Sequence, residues 1–399
     1  MPLAAVATSH HYERPIRVMV VDDALVVRGI VSRWLQEDGG IEIAATHRSA
    51  KTALEDLDRA RPDVLILDIE MPDMDGVTAL PLFLAKRPDL AVIVASTLTR
   101  RNAELSIRCL SLGAMDCLAK PQTSGEMTTT ADFRRELTQR VHALGSRAIS
   151  RSRFRAPATA RVPLQPVPTP VLERAELNVP ASGAPDNSFL RRAGEPIRLR
   201  KFPSLLPRVV VVGSSTGGPQ ALAVLFAGIK SILPRVPVLV TQHMPPSFTT
   251  ILAEHLGRVA GVPCHEPVDG EPIRAGTVYV APGGRHMKVA MGDQGPVARI
   301  TDDAPVNYCK PAVDPLFYSA REVWGGGCAA IVLTGMGADG ARGAVAIADA
   351  GGAVIAQDEE TSVVWGMPGA TAQAGACAAV LPLAEIAPQL VRMFTGERS

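Results

Sequence analysis

The six cysteines, at positions 109, 117, 264, 309, 328 and 377, form no C-x-x-C pair and no Cys/His set with the spacing of a zinc site. Reduced, mostly buried thiols are therefore expected. No run of about 18 uncharged apolar residues occurs, so no membrane-spanning helix is expected. The N-terminal MPLAAVATSHHYERP has neither the basic start, the apolar core nor the small-residue cleavage pattern of a secretory signal. A cytoplasmic protein with a short disordered leader over residues 1–15 is the expectation. Net charge is also nearly absent: 41 Lys and Arg face 40 Asp and Glu. No whole-molecule field then points to nucleic acid, a membrane surface or a polyanionic substrate.

What is present is enough chain for two ordinary domains, 399 residues with 47% hydrophobic content. Between Gly145 and Leu205 the apolar periodicity stops, nine prolines appear, and eleven Arg and Lys face four Asp and Glu. Such a stretch cannot bury enough apolar surface to offset its ordering entropy, so residues 143–205 are expected to be a flexible linker. Before it, β-branched runs at 17–21, 41–46, 64–68, 91–96 and 114–120 alternate with helical patterns. These predict a (βα)5 domain over residues 16–142 with a five-stranded parallel sheet. After it, runs at 208–213, 236–242, 277–282, 329–335 and 352–357 predict a second doubly wound α/β domain over residues 206–395. The two halves share architecture but no residue-level repeat, which indicates fusion of different modules.

In the first half Asp22 and Asp23 follow the first strand and Asp68 ends the third. In an open parallel sheet these carboxyl ends meet in one crevice. Three converging carboxylates repel one another unless a hard cation joins them, and Mg²⁺ accepts such a set. Ser96 ends the fourth strand, and Lys120, followed by the turn-setting Pro121, ends the fifth. A hydroxyl and an ammonium there would hold the oxygens of a phosphoryl group on Asp68. Each residue alone would more often be a helix cap or loop former; it is their joint placement that argues for a site. The pieces VVDDA, LDIEMPDMDG, AST and AKPQ resemble a two-component receiver domain. That resemblance implies phosphorylation of Asp68 by a histidine kinase and Mg²⁺ held by Asp22, Asp23, Asp68 and the Glu70 backbone carbonyl, with Ser96 and Lys120 sensing the phosphoryl group. Cys117 stands where receivers usually carry an aromatic switch residue.

In the second half RVVVVGSSTGGPQAL reads as a buried strand, a tight glycine turn and a helix start. A helix N-terminus offers free N–H groups that favour developing negative charge, which suits either a nucleophile or a phosphate. The run lacks the lysine of a P-loop and the spacing of a dinucleotide fingerprint. The next strand ends at His243, and another runs into GMGADG with Asp339. Ser215, His243 and Asp339 can thus meet at neighbouring strand ends, in an order unlike that of α/β hydrolases. His286, in APGGRHM, also follows a strand and rivals His243 as the base.

The segments GSSTGGPQAL, TQHMPPSFT, GTVYVAPGGRHM, KPAVDPLF and LTGMGADGARG resemble the chemotaxis protein-glutamate methylesterase family, the CheB-type response regulators. The resemblance implies Ser215 as nucleophile, His243 as base and Asp339 as its orienter, with Thr216 flanking the site and the Met336 N–H in an oxyanion hole. It further implies hydrolysis of glutamyl methyl esters on chemoreceptors, deamidation of receptor glutamines, and no cofactor for the esterase. Two rival readings are a receiver joined to a DNA-binding output using the basic linker, and a scaffold without turnover. No helix-turn-helix or zinc spacing after residue 205 supports the first, so neither a nucleic-acid partner nor direct membrane insertion is expected.

Overall fold

The computed structural model describes residues 14–120, 130–154 and 197–395. The leader up to residue 13, Pro121 and the linker core at 155–196 lie outside the described residues. In the first half the strands β1 (Ile16–Val21), β2 (Ile41–His47), β3 (Val64–Asp68), β4 (Ala91–Ser96) and β5 (Asp116–Ala119) form one parallel sheet in the order β2-β1-β3-β4-β5. β3 and β4 are buried at every position, as continuous β-branched runs require when helices cover both faces. Those helices are α1 (Leu25–Gln36), α2 (Ala50–Ala60), α3 (Gly76–Lys86), α4 (Arg100–Ser111) and α5 (Thr130–Phe154). Side-chain caps start three of them, as Ser49, Asp75 and Thr99 accept from the N–H groups of Thr52, Thr78 and Asn102.

The helix α5 continues twelve residues past 142, into the segment read as linker. Leu137, Val141, Leu144 and Ile149 form one buried stripe at helical spacing against the first sheet. Gly145, which reads as a breaker, is instead the point of closest approach: a Cβ there would lie 2.3 Å from Ile16 Cγ2. The far end of the expected linker is also docked. The Arg200 N–H donates to the Cys377 carbonyl, and its guanidinium reaches Gly375 O and Asp349.

The second half begins with β6 (Val209–Ser214), α6 (Gly218–Gly228), β7 (Val238–Gln242), α7 (Phe248–Ala260), β8 (Cys264–His265) and β9 (Val278–Val280). An antiparallel hairpin of β10 (His286–Gly292) and β11 (Gly295–Thr301) follows. Then come α8 (Val313–Trp324), β12 (Cys328–Val332), α9 (Ala341–Asp349), β13 (Ala353–Gln357), α10 (Met367–Gln373), β14 (Ala379–Leu381) and α11 (Leu383–Thr395). Seven strands make a parallel sheet in the order β14-β13-β12-β6-β7-β9-β8. The five sequence-predicted strands are its core; β8, β14 and the hairpin are additional. The chain winds from β6 outward to one side and later returns to β12 on the other, so the carboxyl end of β6 lies at a switch point where ligands characteristically bind. α4 of the first half packs on α6 and α7 of the second, with an Arg100–Glu254 ion pair at 2.7 Å beside the seam.

If α5 is an integral part of the first half through Gly145, replacing that glycine with leucine overpacks Ile16. Gly145→Leu should lower the unfolding free energy by ~1–3 kcal/mol, read as a shift in the denaturant midpoint. An unchanged midpoint would mean that the helix does not bear on the sheet.

Candidate functional site

Two clusters stand at carboxyl ends of strands, one on each sheet. In the first, carboxylate oxygens of Asp22, Asp23 and Asp68 all lie within 4.8 Å of one another. Lys120 Nζ is 2.7 Å from both Asp22 and Asp68. Asp68 is held above the usual carboxylate range, at about 6, because burial outweighs the opposing pull of Lys120. Three carboxylates facing one ammonium, two of them buried, fit a hard divalent cation by donor chemistry and charge. The Glu70 side chain turns away to accept from Asn102, which leaves only its backbone for this cluster. Ser96 is fully buried and its hydroxyl lies 2.9 Å from Ser106 Oγ on α4. Cys117, at the position of the usual aromatic switch, is packed into the apolar core and its thiol is pushed up by burial.

In the second cluster the strand ends are stitched together by backbone. Ser215 N–H donates to Thr334 O at 3.0 Å and His243 N–H to Ser214 O at 3.1 Å, so the ends of β6, β7 and β12 meet. Gln242 locks the elbow: its Nε2 donates to Ser215 O and its Oε1 accepts from Ser214 Oγ. A Cβ on Gly218 would fall 2.0 Å from that Oε1, so only glycine fits at the start of α6. Gly335 lies against Ser215, where a Cβ would be 2.8 Å from the serine Cβ. The next residue, Met336, has an N–H that makes no hydrogen bond among the described residues.

His243 Nε2 is 2.8 Å from Asp339 Oδ2. The carboxylate is almost fully buried and also accepts from the backbone N–H groups of Val313 (2.6 Å), Asp314 (3.2 Å) and Gly340 (3.0 Å) and from Asn307 Nδ2 (3.3 Å). Val313 and Asp314 open α8, so the charge sits on a helix N-terminus. Burial raises the Asp339 pKa, but His243 and these donors hold it below the ordinary value. The neighbouring Asp314 is pushed up to about 7 by burial and by the Asp339 charge. Burial lowers the His243 pKa, yet Cys309 and Asp339 outweigh it and raise the imidazole to about 10. His286, the rival base, has both ring nitrogens committed to backbone, to Ala304 O and to the Ala312 N–H.

The first half reaches this second cluster. Thr216 Oγ1, beside Ser215, donates to Asp116 Oδ2 of β5 at 2.6 Å in a buried contact. Asp116 is held above its ordinary pKa by burial, against the pull of Arg140 on α5. Gln220 donates to Leu110 O and Ala114 O, and the Arg135 guanidinium lies 4.7 Å from the Tyr308 ring centroid. Sequence reasoning did not find Asp116, Gln242, Asn307, Cys309 or Thr334. Gln242 and Thr334 lie inside segments that carry the resemblance, but the contact that brings each of the five to the site is with a partner distant in sequence.

This pairing of an acidic strand-end cluster with a Ser, His and Asp set defines a response regulator with a hydrolase output. Residues 18–132 match the family model for the response regulator receiver domain, and residues 210–390 that for the CheB methylesterase. A protein-glutamate methylesterase/protein-glutamine glutaminase of group 2 operon from Rhodopseudomonas palustris is 52% identical over 98% of this chain and 98% of its own length. A protein-glutamate methylesterase/protein-glutamine glutaminase from Nitrobacter hamburgensis is 53% identical over 97% of this chain and 96% of its own. The crystal structure of the Thermotoga maritima CheB methylesterase catalytic domain is 37% identical, with TM-score 0.46, covering 47% of this chain and 100% of that one. The chain belongs to the CheB family of protein-glutamate methylesterase/protein-glutamine glutaminases, and its receiver implies a divalent metal. No helix among the described residues is long and apolar enough to cross a membrane.

The His243 imidazole should titrate well above the ordinary 6.5. Asp339→Asn should bring its midpoint down, because the amide no longer stabilises the cation. NMR of the ring protons across pH 5–11 reads both, and a midpoint that Asp339→Asn leaves in place would contradict the ion pair.

Proposed function

We propose that this chain hydrolyses glutamyl methyl esters on chemoreceptors, releasing methanol, and deamidates receptor glutamines at the same site. One observation carries the reading: His243 is tied to Asp339 at 2.8 Å where the ends of β6, β7 and β12 converge on Ser215. Asp339 holds the Nε2–H, so the active form is the neutral imidazole with its lone pair on Nδ1, whose share grows as the pH rises toward the raised His243 pKa. Ser215 Oγ gives its proton to Nδ1 as it attacks the ester carbonyl, and the imidazolium returns it to the departing methoxide. Water then clears the acyl-enzyme by the same proton path. The Met336 N–H, unused among the described residues, supplies the donor to the developing oxyanion, where one lost donor costs about 2.7–4 kcal/mol. Thr216 positions the receiver contact next to the nucleophile. A glutamine amide follows the same route with ammonia as leaving group, and no step calls for a cofactor.

The receiver, residues 16–142 with its helix running on to 154, regulates the esterase over 206–395. A chemotaxis histidine kinase donates the phosphoryl group to Asp68, with Mg²⁺ held by Asp22, Asp23, Asp68 and the Glu70 carbonyl. Bound there, the ion supplies charge neutralisation for phosphoryl transfer. Lys120 already bridges the cluster, and Ser96 leaves Ser106 to meet the phosphoryl oxygens. Breaking the Ser96–Ser106 bond loosens α4, the helix that packs on α6 and α7. This route replaces the aromatic switch that Cys117 cannot provide. Undocking then frees Thr216 from Asp116 and opens the cleft, with a coupling of about 1–3 kcal/mol. Such a protein works in the cytoplasm, without nucleic acid and without inserting into the membrane.

Ser215→Ala should reduce methanol release from methyl-labelled receptor membranes by about 10⁴ or more; equal release would remove the esterase assignment. Asp68→Asn, or chelation of divalent metal, should abolish activation by a small phosphodonor while basal release persists. Activation surviving in Asp68→Asn would refute the proposed coupling.

A further inference from the structure

The basic nitrogen of His243 already has a partner. Cys309 Sγ lies 3.4 Å from His243 Nδ1. Asp339 takes the Nε2–H at 2.8 Å, so Nδ1 and the Cys309 sulfur face each other across a single shared proton. Cysteine, histidine and aspartate therefore stand in line as a nucleophile, its base and the base's orienter, on the same imidazole that the proposed function assigns to Ser215. That arrangement is the one that makes a thiol reactive: the imidazole accepts the S–H proton, and the resulting thiolate is stabilised beside the imidazolium.

The other five cysteines lack it. Cys109, Cys117, Cys328 and Cys377 are buried. Burial pushes the Cys109, Cys264, Cys328 and Cys377 thiols up to about 12. Cys309 is partly exposed and closes a tight turn in which Val306 and Cys309 exchange both backbone hydrogen bonds. The two central residues, Asn307 and Tyr308, have φ of 52° and 63°, the left-handed pair such a turn requires. Asn307 reaches Asp339, and Tyr308 lies outward, 72% exposed, beside Arg135 of α5. The turn holds the sulfur against the imidazole while its outer side stays open to solvent.

We propose that Cys309 is a modification site for low-molecular-weight disulfides, and that the mixed disulfide formed there silences the esterase by occupying the base it shares with Ser215. His243 Nδ1 takes the Cys309 proton, and the thiolate attacks one sulfur of the disulfide R–S–S–R. A new S–S bond forms as the old one breaks, and the departing thiolate takes the proton from Nδ1. The disulfide is the oxidant and R–SH the only other product. The adduct then stands where Ser215 must deliver its proton, and excess thiol reverses it. This inference rests on His243 being the esterase base.

The test treats the full-length protein with hydroxyethyl disulfide at pH 7, maps each cysteine by mass spectrometry over time, and follows methanol release in parallel. Cys309 should react at least about tenfold faster than any of the other five, in keeping with base-assisted thiol chemistry, and His243→Asn should remove that advantage. Release should fall in proportion to Cys309 occupancy and return with dithiothreitol, and release by Cys309→Ser should be indifferent to the disulfide. Labelling of Cys309 no faster than of the buried thiols would overturn the proposal, as would full occupancy with release intact. Equal inhibition of Cys309→Ser would also do so. Should that variant misfold, the wild-type time course decides alone. The esterase reading fails separately, if Ser215→Ala keeps its release, and that outcome leaves the order of labelling and its dependence on His243 standing.

Discussion

The second half of the molecule is organised around one buried negative charge. Placing a carboxylate in the interior costs several kcal/mol unless it is paired and hydrogen-bonded. Asp339 meets that cost with backbone N–H groups from Val313, Asp314 and Gly340, the Asn307 amide and the His243 ring. These donors come from the start of α8, the loop after β12, the turn at 306–309 and the end of β7. Satisfying one carboxylate therefore positions four separate segments relative to one another. The glycines around it follow from the same crowding. A Cβ on Gly213 would come 2.5 Å from Val313 Cγ1, and one on Gly340 2.7 Å from the same atom. The neighbour Asp314 shows the limit of what this environment tolerates, since its carboxyl is pushed up to about 7 by the charge it adjoins.

The seam between the halves is built differently. Its apolar part is the packing of α4 on α6 and α7, and its polar part is a few single contacts, Thr216 to Asp116, Gln220 to the carbonyls ahead of β5, and Arg100 to Glu254. An exposed ion pair such as Arg100–Glu254 adds little. The buried Asp116–Thr216 bond matters more, because Asp116 is itself removed from water and is stabilised by Arg140, the Cys117 N–H and that hydroxyl. That the contact falls on the residue next to Ser215 ties the docked state directly to the elbow.

The fold was legible because its signals are local. β-Branched runs predicted all five strands of the first sheet and the five inner strands of the second; short glycine turns marked the strand ends that carry Ser215 and Asp339, and the MPPS run marked the one that carries His243. The reach of α5 was not legible: Gly145 and the serines after it look like breakers, and only Ile16, 129 residues away, explains why a glycine is wanted there. The hairpin of β10 and β11 was missed beside its larger neighbours. Position did not separate His243 from His286, since both follow strands; in the structure both His286 nitrogens meet backbone groups, whereas the His243 nitrogens meet the side chains of Asp339 and Cys309.

Taken alone, the sequence determined the two α/β modules, their order, the acidic cluster and the three residue types of the second site, since each rests on short runs that mark strand ends along the chain. Tertiary structure decided what those residues touch. Ser96 faces Ser106, Thr216 is held by Asp116, and the basic nitrogen of His243 faces Cys309, 66 residues further on. Hydrogen bonds of this kind depend on distance and direction in space, which the order of residues leaves open until the sheets, glycine contacts and buried charge have brought the partners together.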